Sequence, residues 1–228
     1  MLGGMGPEAT VLLQQRVINA VAASDDIDHV PLLVHMNSQV PSRLDWLLQH
    51  KGDDPGIVLA EMARTLELAG AEALAMPCNT AHHFAEQIVN AVDIPLLHMV
   101  EAAAARASAR VGSGGKVGIL ASPATQDIRL FHEYFEKLSL TLVFPKHQEL
   151  LLQAIQNIKA HGISASARKA LNDGAIECAN LGAGCLLVGC SEFSIIADAV
   201  VVDLPVIDTI DVLVADMVDF SGASIKGA

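Results

Sequence analysis

The chain has 228 residues, 52% of them apolar and 4% aromatic, with a formal charge of −12. So acidic a chain offers no basic stripe to neutralise phosphates, which sets nucleic acid aside, although one or two local cations would still serve an anionic substrate. No apolar run reaches the ~18–20 residues that span a bilayer. MLGGMGPEAT carries neither the basic segment nor the apolar stretch of a secretory signal, so a soluble, cytoplasmic protein with no membrane partner is expected.

In chain order, LLVHM (32–36) reads as a short strand and IVLAEMARTLELAG (57–70) as an amphipathic helix closed by Gly70. ALAMP (73–77) reads as a strand, AHHFAEQIVNAV (81–92) as a helix and PLLHMV (95–100) as a strand. A helix through EAAAARASARV ends at GSGGK (112–116), the strongest linker signal in the chain. Strand KVGIL, helix DIRLFHEYFEKL, strand TLVFP, helix ELLLQAIQNIKAHG and helix ARKALNDGAIECANLG follow. Strand CLLVG, a helix near EFSIIADAV, then PVIDT and DVLVADMVDF close the chain. Strands separated by helices of ten or more residues imply βαβ units and parallel sheets.

An internal repeat organises these elements. GAEALAMPCNTAHHF matches GAGCLLVGCSEFSII, so that Gly70, Ala71 and Cys78 face Gly182, Ala183 and Cys190, each pair 112 residues apart. IPLLHMVEA resembles LPVIDTIDV with a two-residue slip, and Pro7 and Thr10 of GGMGPEAT face Pro123 and Thr125 more weakly. Two copies of one α/β half are expected, facing each other across a cleft with one cysteine on either wall.

Each of those cysteines ends a strand, where ligands of open α/β sheets bind and helix N-termini point. Unpaired backbone N–H groups there favour a thiolate. Cys178, within a helix, and Cys185, opening an apolar run, read as buried packing. No CxxC spacing occurs, and without a secretion signal the thiols should be reduced. Cys78 with His82 or His83 has a metal-ligand spacing, but Cys190 has only Cys185 nearby, five residues away on the opposite strand face, so no metal is expected. His82 could instead orient Cys78. GGMG (3–6) fails the GxGxxG pattern, which leaves its glycines to let backbone approach a small ligand, and no GxSxG elbow is present.

Two matched thiols suggest acid/base groups on opposite faces of one carbon. A thiolate removes a proton from a stereocentre, and a thiol returns one to the other face. That is racemisation without a cofactor, and it requires the site to stabilise the developing negative charge.

GGMGPEAT, the PSR of NSQVPSR, PCNTAH and GCSE together resemble the aspartate/glutamate racemase superfamily, most of all its aspartate racemase branch, over essentially the whole chain. The resemblance implies racemases independent of pyridoxal phosphate, commonly homodimers, acting on a small acidic amino acid with Cys78 and Cys190 as the catalytic pair. It implies substrate contacts from Met5, Gly6 and Thr10, from Asn37 and Arg43 toward a side-chain carboxylate, and from Asn79, Thr80 and Ser191 beside the thiols. Lys159 resembles a lysine near the distal carboxylate, with a solvated surface charge as its competing reading. Glu192 stands where glutamate racemases carry histidine and thereby favours the aspartate branch, while Ser191 replaces the commoner threonine. The resemblance also implies a full strand before GGMG. Only Met1 and Leu2 stand there, so a start further upstream or a trimmed sequence is expected.

The expected organisation is α/β: two pseudo-symmetric halves with mostly parallel sheets and the active site between them. Residues 1–98 with 208–228 form the half carrying Cys78, 99–115 the connecting helix and linker, and 116–207 the half carrying Cys190. The competing functions are a same-fold isomerase of a dicarboxylate, a racemase of another substrate such as a cyclic amide, and a protein that only binds a small anion.

Overall fold

The computed structural model describes residues 1–227. The chain folds into two compact units, one comprising Met1–Met99 with the chain from Ile210 onward, the other Val100–Thr209. Each is α/β with parallel pairing, as the repeat predicts.

In the first unit, β1 (Leu2–Gly3) pairs with β2 (His35–Met36) in parallel, Leu2 opposite His35. On its other side the Leu2 N–H donates to Ala75 O at 2.9 Å, and Leu74 pairs in parallel with Leu96. The expected strands 32–36 and 73–77, and the expected strand 95–100 as far as His98, are therefore present as extended chain, but with short ladders. Pro31, Pro77 and Pro95 have no N–H to give a neighbour, which limits regular pairing around them.

Side-chain alternation explains the layers. Leu2, Leu74 and Met76 pack with Leu59, Met62 and Leu66 of α3 (Pro55–Leu68). Met1 and Ala75 cluster with Leu13 and Val17 of α1 (Pro7–Ala20) and Leu213 and Met217 of α11 (Thr209–Ser221). α1 and the short α2 (Arg43–Gln49) were not expected from the hydrophobic pattern. α2 is capped by Ser42, whose hydroxyl accepts from the Asp45 N–H. The helix expected over 81–92 is a 3₁₀ turn, Thr80–Phe84, followed by α4 (Ala85–Val89), and α5 (Met99–Val111) starts before the strand read through Val100 would end.

The second unit has the strand order β4-β3-β5-β6, with β3 (Lys116–Leu120), β4 (Thr141–Val143), β5 (Cys185–Val188) and β6 (Val206–Asp208) all parallel. The helix expected over 127–138 is divided into α6 (Pro123–Asp127) and α7 (His132–Lys137), because Arg129 between them adopts a left-handed φ of 54° that no helix continues through. Leu186 and Val188 pack with Leu151 and Ile155 of α8 (Gln148–His161) and Leu171 and Cys178 of α9 (Ala165–Asn180). Beyond β5 lies α10 (Ser191–Ser194), a single turn where a longer helix was expected.

The repeat is visible in hydrogen bonds. After α3, Gly70 N–H donates to Glu67 O and Ala71 N–H to Leu66 O; after α9, Gly182 donates to Ala179 O and Ala183 to Cys178 O. Both are Schellman closures with glycine left-handed, φ 93° and 86°. The Leu74 N–H bonds Pro95 O, and the Leu186 N–H bonds Pro205 O.

Candidate active site

Cys78 follows the extended chain 73–77 directly and is buried, 8% exposed. Its N–H donates to Met76 O at 2.8 Å, and its carbonyl lies 2.9 Å from His82 Nδ1. The other ring nitrogen, Nε2, accepts from the Met99 N–H at 3.3 Å, so Nδ1 carries the proton and donates to Cys78. Both nitrogens are thus engaged, which leaves neither for a metal and makes His82 a clamp on the Cys78 backbone. Burial lowers the His82 pKa to about 3, with His98, edge-on at 4.8 Å, pushing the same way.

The glycine loop before α1 is tied down by Thr10. Its buried hydroxyl accepts from the Gly4 N–H at 2.9 Å and stands 3.1 Å from Gly6 O, to which it donates. A Cβ on Gly4, whose φ is +97°, would stand 2.3 Å from the Asn37 backbone. Glycine here permits a close approach between the two loops. Met5 is buried in the α3 cluster. Asn37 Oδ1 accepts from the Gln39 N–H at 2.9 Å, and Arg43 donates to Val40 O at 3.2 Å and Pro41 O at 2.8 Å, folding the guanidinium onto its own loop. Asn79 is buried beside Cys78, and Thr80 is half-buried.

In the second unit Cys190, also 8% exposed, follows β5 by two residues. Its Sγ donates to Glu192 Oε2 at 3.0 Å, and Ser191 Oγ lies 3.5 Å from the same oxygen. Glu192 Oε1 is 3.3 Å from Lys159 Nζ on α8, so the lysine stands beside the thiol's own partner. Burial, then the Glu192 carboxylate, push the Cys190 thiol well above its ordinary pKa, while Lys159 pulls it down. Ser194 Oγ donates to Asp208 Oδ1 at 2.6 Å, bracing the turn after Cys190 against β6.

Sequence reasoning did not single out Ser122. It ends the extended chain after β3 at the position that continues the register to Cys190, since Leu120 pairs with Val188 and the Gly189 N–H donates to Leu120 O. Its hydroxyl is buried without a partner, which suits a ligand contact. The weak match of SPAT to GPEAT was the available signal.

Cys178 and Cys185 are fully buried, and burial pushes their thiols up to about 12 and 11. A cavity of about 390 Å³ in the first unit lies beside Met1, Leu33, Glu72 and Leu97, toward the starts of the strands and away from their Cys78 end. Among the described residues no helix is long and apolar enough to cross a membrane, and no cluster of three or more His, Cys, Asp or Glu could hold a metal ion.

Residues 2–217 match the profile of the family described as Asp/Glu/hydantoin racemase. A stretch of 105 residues is 34% identical to the broad-specificity amino-acid racemase RacX of Bacillus subtilis, covering 44% of this chain and 45% of that protein. The fold matches the aspartate racemase of Picrophilus torridus with a TM-score of 0.86 at 24% identity, over 99% of this chain and 94% of that one. It matches the allantoin racemase of Klebsiella pneumoniae at 0.61 and 15% identity, over 97% and 85%.

Proposed function

Because the chain belongs to the Asp/Glu/hydantoin racemase family, we propose that it racemises an acidic amino acid, aspartate foremost, without a cofactor and with Cys78 and Cys190 as opposed acid/base groups. The observation that carries this reading is the matched placement of two buried thiols. Each stands just past a strand's C-terminal end, in units that share strand order and helix closure.

In the first half of the reaction the Cys78 thiolate takes the α-proton. The C–H bond breaks, and its electron pair passes into the substrate carboxylate. The Cys190 thiol then gives its proton to the opposite face. Backbone N–H groups of the turns after each cysteine, with Asn79, Thr80 and Ser191, hold the carboxylate and offset the growing charge. Met5, Gly6 and Thr10 shape the loop that closes over the substrate. For a distal carboxylate, Arg43 offers a planar fork once it leaves the carbonyls of Val40 and Pro41, with Asn37 alongside. We read the working protein as a cytoplasmic homodimer.

A broader range of amino acids is the second reading, favoured by the 34% identity to a broad-specificity racemase. Chiral chromatography after incubation with each L-amino acid separates the two. Aspartate, or aspartate and glutamate, converting alone supports the first; equal conversion of neutral or basic amino acids supports the second. Conversion of an unsaturated dicarboxylate with every amino acid untouched would replace both with an isomerase, and binding without turnover would leave an anion-binding protein.

A further inference from the structure

The two thiols have different surroundings. The Cys190 Sγ donates to a carboxylate oxygen at 3.0 Å, and the other oxygen of that carboxylate is 3.3 Å from Lys159 Nζ. The chain geometry enforces this arrangement. Cys190 is extended, at φ −142° and ψ 126°, and α10 begins at the next residue, so Glu192 turns back beside the sulfur. Phe193, fully buried, and Ile155 and Ile158 of α8 pack in the same cluster as Cys190 and fix both sides of the contact. Of the charged groups around the thiol, Glu192 lies on α10 and Lys159 on α8. Asp208, on β6, is bonded to Ser194 Oγ at 2.6 Å. Lys159 is half exposed, so solvent screens its pull more than it screens the 10%-exposed Glu192 carboxylate.

We propose that Glu192 is a positioning residue that keeps the proton on Cys190 between turnovers, making Cys190 the donor and Cys78 the acceptor when substrate arrives. This step rests on the racemase reading and refines it. A thiolate on Cys190 would place two negative charges about 3 Å apart in a buried site, whereas the thiol forms a hydrogen bond there. During turnover the Cys190 S–H bond breaks and a C–H bond forms, leaving the sulfur anionic beside Glu192. Lys159 lowers the cost of that state, and it ends when the sulfur regains a proton. The enantiomers are equal in free energy, so kcat/KM must be equal for both whatever the asymmetry. Protonation, not enantiomer preference, is the readout.

The test titrates thiolate ultraviolet absorbance, taking the difference between each chain and the same chain carrying Cys190→Ser. Glu192→Gln should lower the Cys190 midpoint by about one pH unit or more, and Lys159→Met should raise it. With aspartate, the alkaline limb of kcat/KM should move to lower pH in Glu192→Gln, since the donor is lost earlier, and return toward its original position in Glu192→Asp. A variant whose role is merely structural would lose rate without moving the limb. An unchanged Cys190 midpoint in a folded Glu192→Gln chain overturns the proposal. Should that variant not fold, a Lys159→Met midpoint that stays put or falls overturns it instead. The titration needs no turnover, so absence of racemisation would count against the function alone.

Discussion

Cys78 and Cys190 end equivalent strands and are equally buried, yet the protein holds them by different means. Around Cys78 the grip is on the backbone: a neutral, doubly bonded histidine fixes the carbonyl. Around Cys190 the grip is on the sulfur, through Glu192. The repeat thus preserves what the fold needs, the helix closure and the strand end, and varies what tunes the chemistry. Two groups that exchange roles in a reversible reaction need not rest in the same protonation state.

The largest effect should come from the thiols. Cys78→Ala and Cys190→Ala should each lower racemisation by about a thousandfold or more, the scale for removing an acid/base group. Normal racemisation by both variants would end the two-base account.

His82→Ala should spare the sulfur chemistry and strike the fold. It leaves the Cys78 carbonyl and the Met99 N–H without their partner and opens a buried space, costing about 2–4 kcal/mol in denaturant unfolding. A loss of activity at unchanged stability would instead make His82 a direct participant.

The same residue predicts an acid dependence. The His82 pKa is depressed in the folded state to about 3 from 6.5, so its contribution to stability is complete above pH 6.5 and drains away as pH falls toward 3. Stability should fall by up to about 1.4 kcal/mol per pH unit across that window, and His82→Asn should flatten the slope. Equal slopes in the two chains would contradict the assignment of a neutral imidazole.

The smallest effect tests the repeat. At Gly70 a Cβ meets nothing, and at Gly182 it meets only the flexible end of Lys116 at 3.6 Å, so alanine costs backbone strain alone. Gly70→Ala and Gly182→Ala should each lose about 1 kcal/mol, to within a few tenths of each other. Clearly different losses would mean that the two closures are not equivalent.

Much of this architecture was legible because it repeats. A glycine after a helix, a short apolar run and then a cysteine can be read twice, 112 residues apart, and the second copy turns a weak local signal into a topology. What could not be read was local. α1 has Pro7 in its first turn and buries Ala9, Leu13 and Val17, a four-residue spacing that is faint because apolar Val11, Leu12 and Ile18 fall outside it. The break at Arg129 needs a left-handed residue that no glycine or proline announces. The apolar strands of the first unit were visible, but not how little of them would pair. At the site, the strand-end placement of both cysteines follows from pattern. The turn that folds Glu192 onto Cys190, and the burial that keeps His82 neutral, depend on neighbours brought in by tertiary packing.

The most direct measurement is the first portion of turnover with L-aspartate in D₂O, without pyridoxal phosphate. If two thiols act on opposite faces, the D-aspartate formed early carries solvent deuterium at Cα while the remaining L-aspartate is still protiated. D-aspartate that keeps the original α-proton would mean one group carrying it across, and would contradict the paired-cysteine account.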